Sequence, residues 1–308
     1  MPIRDLLLAL TVVLLWGVNF VVMKHAVSEV PPFLLTALRF GLAAVPAVFL
    51  VRRPAVFTWH LIAYGAGFGI VQFGFMFTAF RLGIPAGLTA IVLQTQAFFT
   101  IALAFWVLGE RPSRLQNAGI CVAAAGVAVV FAGAAQGAAL LPVALVIAAG
   151  LGWAGANIAL KMARPDDIFG FTVWSSLVPP LPMLALSAAT EGFDAWSTSW
   201  AHLTWLGVAA VLYLAYPISL ATGMAWNSLL SRYPAATFAP FALLVPVIGM
   251  AAGAVVYGER ITITELAGSI LVLAGLVIIM VAARSAARPT AIGRNDASKR
   301  SRNLQDSQ

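Results

Sequence analysis

The chain has 308 residues, of which 61% are hydrophobic and 9% are charged, and its formal net charge is +7. A soluble domain carries about 25% charged residues, so this composition excludes a water-soluble globular protein and predicts an all-α membrane protein. The positive charge does not indicate a nucleic-acid partner, because six of the 18 basic residues follow the last apolar segment.

Ten segments of mostly apolar residues follow one another, each close to the roughly 20 residues that cross a bilayer as a helix. In chain order they cover residues 6–23, 33–51, 61–80, 86–108, 115–133, 141–160, 168–188, 203–222, 235–257 and 265–283. Short connections that contain Pro or Gly separate several of them, and a longer loop is expected around residues 191–201. Residues 285–308 are polar and basic, which predicts a disordered tail.

The basic residues of the short loops predict the orientation. With ten spans both termini lie on one side of the membrane, and the loops of that side hold more basic residues than the others. They hold Arg4, Arg52, Arg53, Arg111, Arg114, Lys161, Arg164 and Arg232, against Lys24, Arg81 and Arg260 on the other side. Because basic loops stay inside the cell, both termini are predicted to be cytoplasmic.

The two halves of the chain resemble each other. The tripeptide Gly-Glu-Arg at 109–111 recurs at 258–260, an offset of 149 residues, and Lys24 recurs as Lys161 at an offset of 137. Matches in the same order at a nearly constant period indicate a duplication. The predicted organisation is a first five-helix repeat (1–135), a second five-helix repeat (136–284) and a basic cytoplasmic tail (285–308).

Five spans per repeat is an odd number, so the second repeat must enter the membrane the opposite way up. Such inverted repeats lie around a pseudo-two-fold axis in the membrane plane, and their exchange of conformations opens a central site to either side. The duplication therefore favours a transporter that works by alternating access, with a central cavity between the repeats.

Glycines at 119, 126, 268 and 275 recur every seven residues in the fifth and tenth spans. A stripe of small residues permits close approach of two helix backbones. The stripe predicts close packing either between these two spans or across a dimer.

Several motifs are distinctive as a set: Leu15-Trp16-Gly17-Val18-Asn19, Leu38-Arg39-Phe40, Ile84-Pro85-Ala86-Gly87-Leu88, Leu93-Gln94-Thr95-Gln96 and the two Gly-Glu-Arg tripeptides. Over residues 5–283 their order resembles the EamA-like family of the drug/metabolite transporter superfamily. Among its members the likeness is to exporters of O-acetylserine and cysteine and to those of aromatic amino acids. The resemblance implies a basket-like bundle in the bacterial inner membrane that exports amino acids or similar metabolites, and it leaves the substrate open.

Polar and aromatic side chains inside the predicted spans are the candidates for substrate binding. Trp16 and Asn19 share one face of the first span, and Trp153 and Asn157 share one face of the sixth. Amides and indoles suit a neutral or zwitterionic ligand, although interhelical hydrogen bonds would explain the same residues. The other candidates are Gln72, Gln94, Gln96, Trp174 and Tyr213, of which Gln94 and Gln96 point to different faces of one helix.

Charged residues are almost absent from the predicted spans. All 11 acidic residues lie at or beyond span ends. The spans therefore offer no mid-membrane carboxylate for coupling transport to protons. Export driven by the substrate gradient alone and proton-coupled export both stay open. Arg39 is the exception, and it is expected to snorkel to the surface rather than to hold an anion. The two Gly-Glu-Arg motifs are expected to cap helices rather than to form gating ion pairs.

The main prediction is an exporter of amino acids or related small metabolites, with an exporter of hydrophobic drugs as the alternative. A carrier of phosphate esters would need several deep cations, an enzyme would need a nucleophile with a base or paired carboxylates, and a channel would need a filter motif. The expected partners are a small-molecule substrate and membrane lipid, with the chain a monomer or homodimer. No cofactor is expected, and the single Cys121 excludes a disulfide framework or cysteine metal site.

Overall fold

The computed structural model describes residues 2–136, 140–232, 241 and 244–287. These residues form helices joined by short turns, with no strand among them. Large apolar side chains cover much of the surface, and Leu50, Trp106 and Trp205 are 86%, 80% and 89% exposed. Because such a surface needs an apolar solvent, the predicted class of an all-α membrane protein is confirmed.

The described residues contain eleven helices. They are α1 (Ile3–Glu29), α2 (Pro32–Val48), α3 (Thr58–Arg81), α4 (Ala86–Leu108), α5 (Arg114–Gln136), α6 (Leu140–Ala163), α7 (Ile168–Thr190), α8 (Phe193–His202), α9 (205–232), α10 (Leu244–Tyr257) and α11 (Ile263–Ala287). The first part of the ninth predicted span, at 235–240, and most of the predicted tail, at 288–308, lie outside the described residues.

Seven of these helices are long and apolar enough to cross a membrane, and an eighth span results if α8 and the start of α9 count together. The helices α2 and α10 are apolar but shorter, with 17 and 14 described residues. At a rise of 1.5 Å per residue, α2 is only about 26 Å long. The prediction of ten spans is therefore confirmed in its coarser form, a multi-pass helical membrane protein.

The loop predicted around residues 191–201 is mostly helical, so that prediction is wrong. Gly192, with a φ of 81°, turns the chain into α8, and a bend of 111° leads from α8 into α9. The side chain of Thr204 caps α9 by accepting a hydrogen bond from the Gly207 amide. The helix α8 and the Thr204 cap of α9 satisfy the backbone polar groups of this segment. An irregular loop would leave the same groups to solvent.

Two π-helical segments occur at corresponding places in the two halves. The first covers Gly65–Gln72 in α3 and the second covers Leu214–Ala221 in α9, so the second begins and ends 149 residues after the first. This is the offset of the two Gly-Glu-Arg motifs. A π-helical turn widens the helix and is uncommon, so its recurrence at the same offset reflects the internal similarity of the sequence.

The helices α5 and α11 pack directly on each other in antiparallel directions. A Cβ atom on Gly119 would lie 2.8 Å from the Gly275 carbonyl oxygen, and one on Gly126 would lie 2.7 Å from the Gly268 carbonyl oxygen. The earlier glycine of α5 thus faces the later glycine of α11, and the later glycine of α5 faces the earlier glycine of α11. The glycine stripe of the fifth and tenth predicted spans is used inside the chain, as the first of the two alternatives predicted.

Gly126→Ala is expected to destabilise the protein by about 1–3 kcal/mol, because the new methyl group would overlap backbone atoms of Gly268 and Val272 that cannot rotate away. Gly155→Ala is the matched control, since nothing lies within 4 Å of a Cβ atom there. It should leave stability unchanged or raise it by up to about 1 kcal/mol through helix propensity. Thermal unfolding in detergent micelles measures both, and equal melting temperatures would contradict the close contact.

Candidate functional site

Trp16 and Tyr213 lie at the interface of α1 and α9. The indole Nε1 of Trp16 donates a hydrogen bond to Thr222 Oγ1 at 2.8 Å, and its ring centroid lies 4.8 Å from that of Trp226. The hydroxyl of Tyr213 donates to the Leu15 carbonyl oxygen at 2.9 Å. In both candidates the hydrogen-bond donor of the side chain is therefore used in the packing of α1 against α9.

Asn19 lies on α1 about one turn beyond Trp16, and its side chain is buried. Its Nδ2 atom donates to Met23 Sδ at 3.6 Å. Its Oδ1 atom has no hydrogen-bond partner among the described residues. A buried polar atom without a partner costs about 1–3 kcal/mol, so a ligand that donates a hydrogen bond would be favoured at this point.

Arg39 does not snorkel, so the expectation from the sequence is wrong. Its residue is 3% exposed, and the helices α1, α3 and α9 enclose its side chain. Its Nε donates to Ser219 Oγ at 3.4 Å and its Nη1 to Met23 Sδ at 3.8 Å. The guanidinium carbon lies 3.9 Å from the centre of the Phe73 ring. All of these neighbours are uncharged.

Asn157 and Gln96 meet at the interface of α4 and α6. The Nδ2 atom of Asn157 donates to Gln96 Oε1 at 3.2 Å and to Thr100 Oγ1 at 3.1 Å. The face of α4 that carries Gln96 and Thr100 is thus the one that contacts α6. Gln94 lies at the break between the two helical parts of α4, Ala86–Val92 and Thr95–Leu108.

The remaining candidates, which are Trp153, Gln72 and Trp174, lie in separate surroundings. The ring of Trp153 packs edge-on against Phe68 at 6.1 Å. Gln72 is 3% exposed and its Oε1 atom has no hydrogen-bond partner among the described residues. The Nε1 atom of Trp174 donates to the Val51 carbonyl oxygen at 3.3 Å, which ties this residue to the chain after α2.

By the helices that they contact, six of the candidates form two groups. The α1 group contains Trp16, Asn19 and Tyr213, and the α6 group contains Gln96, Trp153 and Asn157. A cavity of about 190 Å³ among the described residues belongs to neither group. It lies between α2, α8 and α9, and its lining is almost wholly apolar, with residues such as Leu34, Leu38 and Trp200.

An ion pair joins the end of α1 to the turn after α10. Lys24 Nζ lies 2.6 Å from Glu259 Oε1, and the two side chains are 21% and 11% exposed. The Glu259 carboxylate also accepts hydrogen bonds from the backbone amides of Ala86 at 2.8 Å and Gly87 at 3.2 Å. These amides begin α4, where the helix dipole favours a negative charge. Glu259 therefore holds α1, α4 and α10 together.

A second ion pair joins the corresponding residues of the opposite halves. Lys161 Nζ lies 2.8 Å from both carboxylate oxygens of Glu110, with the side chains 46% and 53% exposed. Lys161 corresponds to Lys24, and Glu110 corresponds to Glu259. In each ion pair the lysine of one half thus binds the glutamate of the other half.

The Gly-Glu-Arg motifs place both glutamates through the same local structure. Gly109 and Gly258 have φ values of 69° and 63°, a left-handed conformation that glycine adopts without strain and that ends a helix. The amide of Glu110 then bonds the Ala104 carbonyl oxygen, and that of Glu259 bonds the Gly253 carbonyl oxygen. The predicted capping role is therefore confirmed, but the glutamate side chains also form ion pairs, with Lys161 and Lys24, that were not predicted.

The two ion pairs lie toward opposite ends of the helix bundle. Glu110 shortly precedes α5 and Glu259 shortly precedes α11, and these helices are antiparallel. At 1.5 Å per residue, the 23 residues of α5 separate its two ends by about 35 Å. The signal that could have revealed the pairs was present in the sequence, since the lysines and the glutamates are each related by the repeat.

Comparison with known proteins agrees with this division into halves. The model of the EamA-like transporter family matches residues 4–132 and 140–281, once in each half. A probable amino-acid metabolite efflux pump of Salmonella typhimurium is 42% identical over 281 residues, which is 89% of this chain and 94% of that protein. A protein of the same description from Escherichia coli strain K12 is 39% identical, with the same coverage.

More distant proteins also match most of this chain. A probable terminal-alkyne amino-acid exporter of Streptantibioticus cattleyicolor is 26% identical and covers 80% of this chain and 81% of its own length. A solved crystal structure at 19% identity superposes with a TM-score of 0.53 and covers 92% of this chain and 98% of its own. At that identity the likeness concerns the fold alone.

Proposed function

The chain belongs to the EamA-like transporter family, and from that premise we propose that it exports amino acids or related small metabolites by alternating access. As a multi-pass membrane transporter it is not an enzyme. The proposed location is the bacterial inner membrane, with both termini in the cytoplasm. The proposed substrates are neutral amino acids, either similar to cysteine and O-acetylserine or aromatic.

The proposed architecture is ten spans in two inverted repeats, residues 1–135 and 136–284, followed by the tail at 285–308. Three observations support it: the family matches fall once in each half, the π-helical segments are 149 residues apart, and α5 and α11 are antiparallel. The short helices α2 and α10 would then complete the ten spans together with the bent segment of α8 and α9.

The observation that carries the mechanism is the reciprocal arrangement of the two ion pairs. Lys24–Glu259 and Lys161–Glu110 each join one half of the chain to the other, at opposite ends of the bundle. If one end opens, the pair at that end must break while the pair at the other end persists. Inverted repeats supply this alternation through their symmetry, and we propose that the ion pairs are its two latches.

The two latches differ in strength, which fits export. The Lys161–Glu110 pair is about half exposed, and exposed pairs contribute about 0–1 kcal/mol. The Lys24–Glu259 pair is mostly buried and its carboxylate holds two further backbone amides. In the proposed orientation the weak latch faces the cytoplasm, so the resting protein opens more readily to the compartment from which the substrate is loaded.

Cysteines introduced at Arg111 and Arg260 in a Cys121→Ala background are expected to label from opposite sides of the membrane. Both arginines are exposed and each follows one of the repeat-related glutamates. A membrane-impermeant maleimide applied to intact cells should modify position 260 and leave position 111 unmodified until the cells are opened. Labelling of both positions from the same side would contradict the inverted arrangement.

Flux into proteoliposomes tests the proposed function. Labelled cysteine, leucine and phenylalanine are supplied as a concentration gradient, with and without an imposed pH gradient, and protein-free liposomes are the control. We expect flux of at least one amino acid without a pH gradient, because no mid-membrane carboxylate or imidazole is available in the predicted spans. Flux of hydrophobic cations without flux of amino acids would favour the alternative, a drug exporter on the same fold.

A further inference from the structure

We propose that Arg39 binds the carboxylate of the exported metabolite, so that the substrate class is compounds with a free carboxylate beside an amino group. This inference rests on the proposed export function and adds the group that recognises the substrate. Arg39 is the eighth residue of the 17-residue helix α2, which places its guanidinium deep in the bundle rather than at a surface.

The first support is a buried cation without a counter-ion. The residue is 3% exposed, and its hydrogen-bond partners are the hydroxyl of Ser219 and the thioether of Met23. In the described part of the chain no carboxylate lies within 4 Å of it. Burying a charge in an apolar environment is unfavourable unless an opposite charge compensates it, and a carboxylate on the substrate would do so.

The second support is the geometry of the guanidinium. The Phe73 ring covers one face of it at 3.9 Å, and the Phe40 ring lies 5.6 Å from it. Aromatic rings on a face do not cover the edge of the group, where Nε and Nη1 make only long hydrogen bonds, of 3.4 and 3.8 Å, that a carboxylate ligand would replace. That edge matches the two oxygens of a carboxylate in a bidentate arrangement.

The third support is a hydrogen-bond acceptor close to the cation. Asn19 and Arg39 both donate to Met23 Sδ, at 3.6 and 3.8 Å, so their side chains converge on one atom. The Asn19 Oδ1 atom has no partner among the described residues, nor has the Oε1 atom of Gln72, which precedes Phe73 in the chain. Amide oxygens without partners can accept hydrogen bonds from an ammonium group, as a zwitterion requires.

One cation favours a carboxylate over a phosphate ester. Within the described helices the other lysines and arginines lie near helix ends, and Lys24 and Lys161 are engaged by glutamates. A phosphate carries up to two charges and would need a second cation beside Arg39. A carboxylate is neutralised by Arg39 alone.

The test compares amino acids with their carboxamides in proteoliposomes. Flux of labelled cysteine, leucine and phenylalanine is competed with the unlabelled amino acid or its amide, at pH 6, where α-amino groups with pKa values of about 7.7 are protonated. The amide keeps the side chain and the ammonium group but lacks the carboxylate. We expect it to compete about ten- to hundred-fold more weakly, the loss that follows from one charge-assisted hydrogen bond.

Arg39→Gln should lower the flux by about the same factor and abolish the preference for the acid over the amide, because the variant has no charge to distinguish them. Arg39→Lys keeps the charge without the bidentate edge and should retain part of the preference. Arg114→Gln, which removes an exposed arginine at the start of α5, is the matched control and should transport as the unchanged protein does.

The outcomes separate this inference from the proposed function. Equal competition by acid and amide in the unchanged protein, or an unchanged preference in Arg39→Gln, would overturn the role of Arg39 while amino-acid export stands. Absence of any amino-acid flux above that of protein-free liposomes would overturn both. If Arg39→Gln aggregates, the competition data on the unchanged protein and on Arg39→Lys still decide the question.

Discussion

Replacing Glu259 by glutamine is expected to destabilise the state in which the Lys24 end of the bundle is closed by about 3 kcal/mol. Removing one partner of a buried ion pair costs about 3–5 kcal/mol because the other charge stays buried. The lower end of the range applies, since Lys24 keeps 21% exposure and the Tyr257 ring at 4.7 Å. At 1.4 kcal/mol per tenfold, the closed state should lose about a hundredfold in population.

Distances between spin labels measure this shift. Labels at Leu82 and Ile261, which are 49% and 45% exposed near the ends of α3 and α10, should move apart in Glu259→Gln. The matched control is Glu110→Gln, whose ion pair is about half exposed and contributes about 0–1 kcal/mol. The control should change the conformational populations less than about fivefold.

The double variant Lys24→Met with Glu259→Gln distinguishes an ion pair from a general packing effect. It leaves no uncompensated charge, so it should recover part of the stability that Glu259→Gln loses. Exchanging the two charges should not help, because a lysine at 259 cannot accept the hydrogen bonds of the Ala86 and Gly87 amides. Equal effects of Glu259→Gln and Glu110→Gln would contradict the proposed difference between the two latches.

Asn157→Ala is expected to lower transport by about ten- to hundred-fold while the protein remains folded. Asn157 joins α6 to α4 through Gln96 and Thr100, and its loss leaves both acceptors without their donor. If the same amide binds the zwitterionic substrate when α4 and α6 separate, one lost hydrogen bond to a charged group costs about 1.5–3 kcal/mol. Initial rates of amino-acid flux measure the effect.

Two further variants test the contact that Asn157 makes. Gln96→Ala combined with Asn157→Ala should be less damaging than the sum of the single variants, because the two residues share one hydrogen bond. Asn117→Ala removes an exposed asparagine on α5 and should leave the flux unchanged. Additive losses in the double variant would mean that Asn157 and Gln96 act independently.

The sequence alone determined the environment, the class of fold and the family. Composition excluded water as the solvent of the surface, and segment length required helices, since a backbone in lipid must satisfy its own hydrogen bonds. The Gly-Glu-Arg tripeptides revealed the duplication, because a glycine with a positive φ that ends a helix and is followed by an ion-paired glutamate is a local requirement that leaves a fixed pattern. The polar candidate residues were recognised by their residue type, which the sequence shows without any knowledge of the side chains that they contact.

Only the tertiary structure decided which side chains meet. Lys24 and Glu259 are 235 residues apart, and their pairing depends on how α1 packs against α10 and α4. Arg39 was expected at the surface, but the enclosure by α1, α3 and α9 buries it. The candidates divided into two groups for the same reason, since Trp16 contacts α9 whereas Trp153 contacts α3. Helix formation is governed by local backbone chemistry that a sequence displays, whereas contacts between helices depend on shape and register over the whole chain.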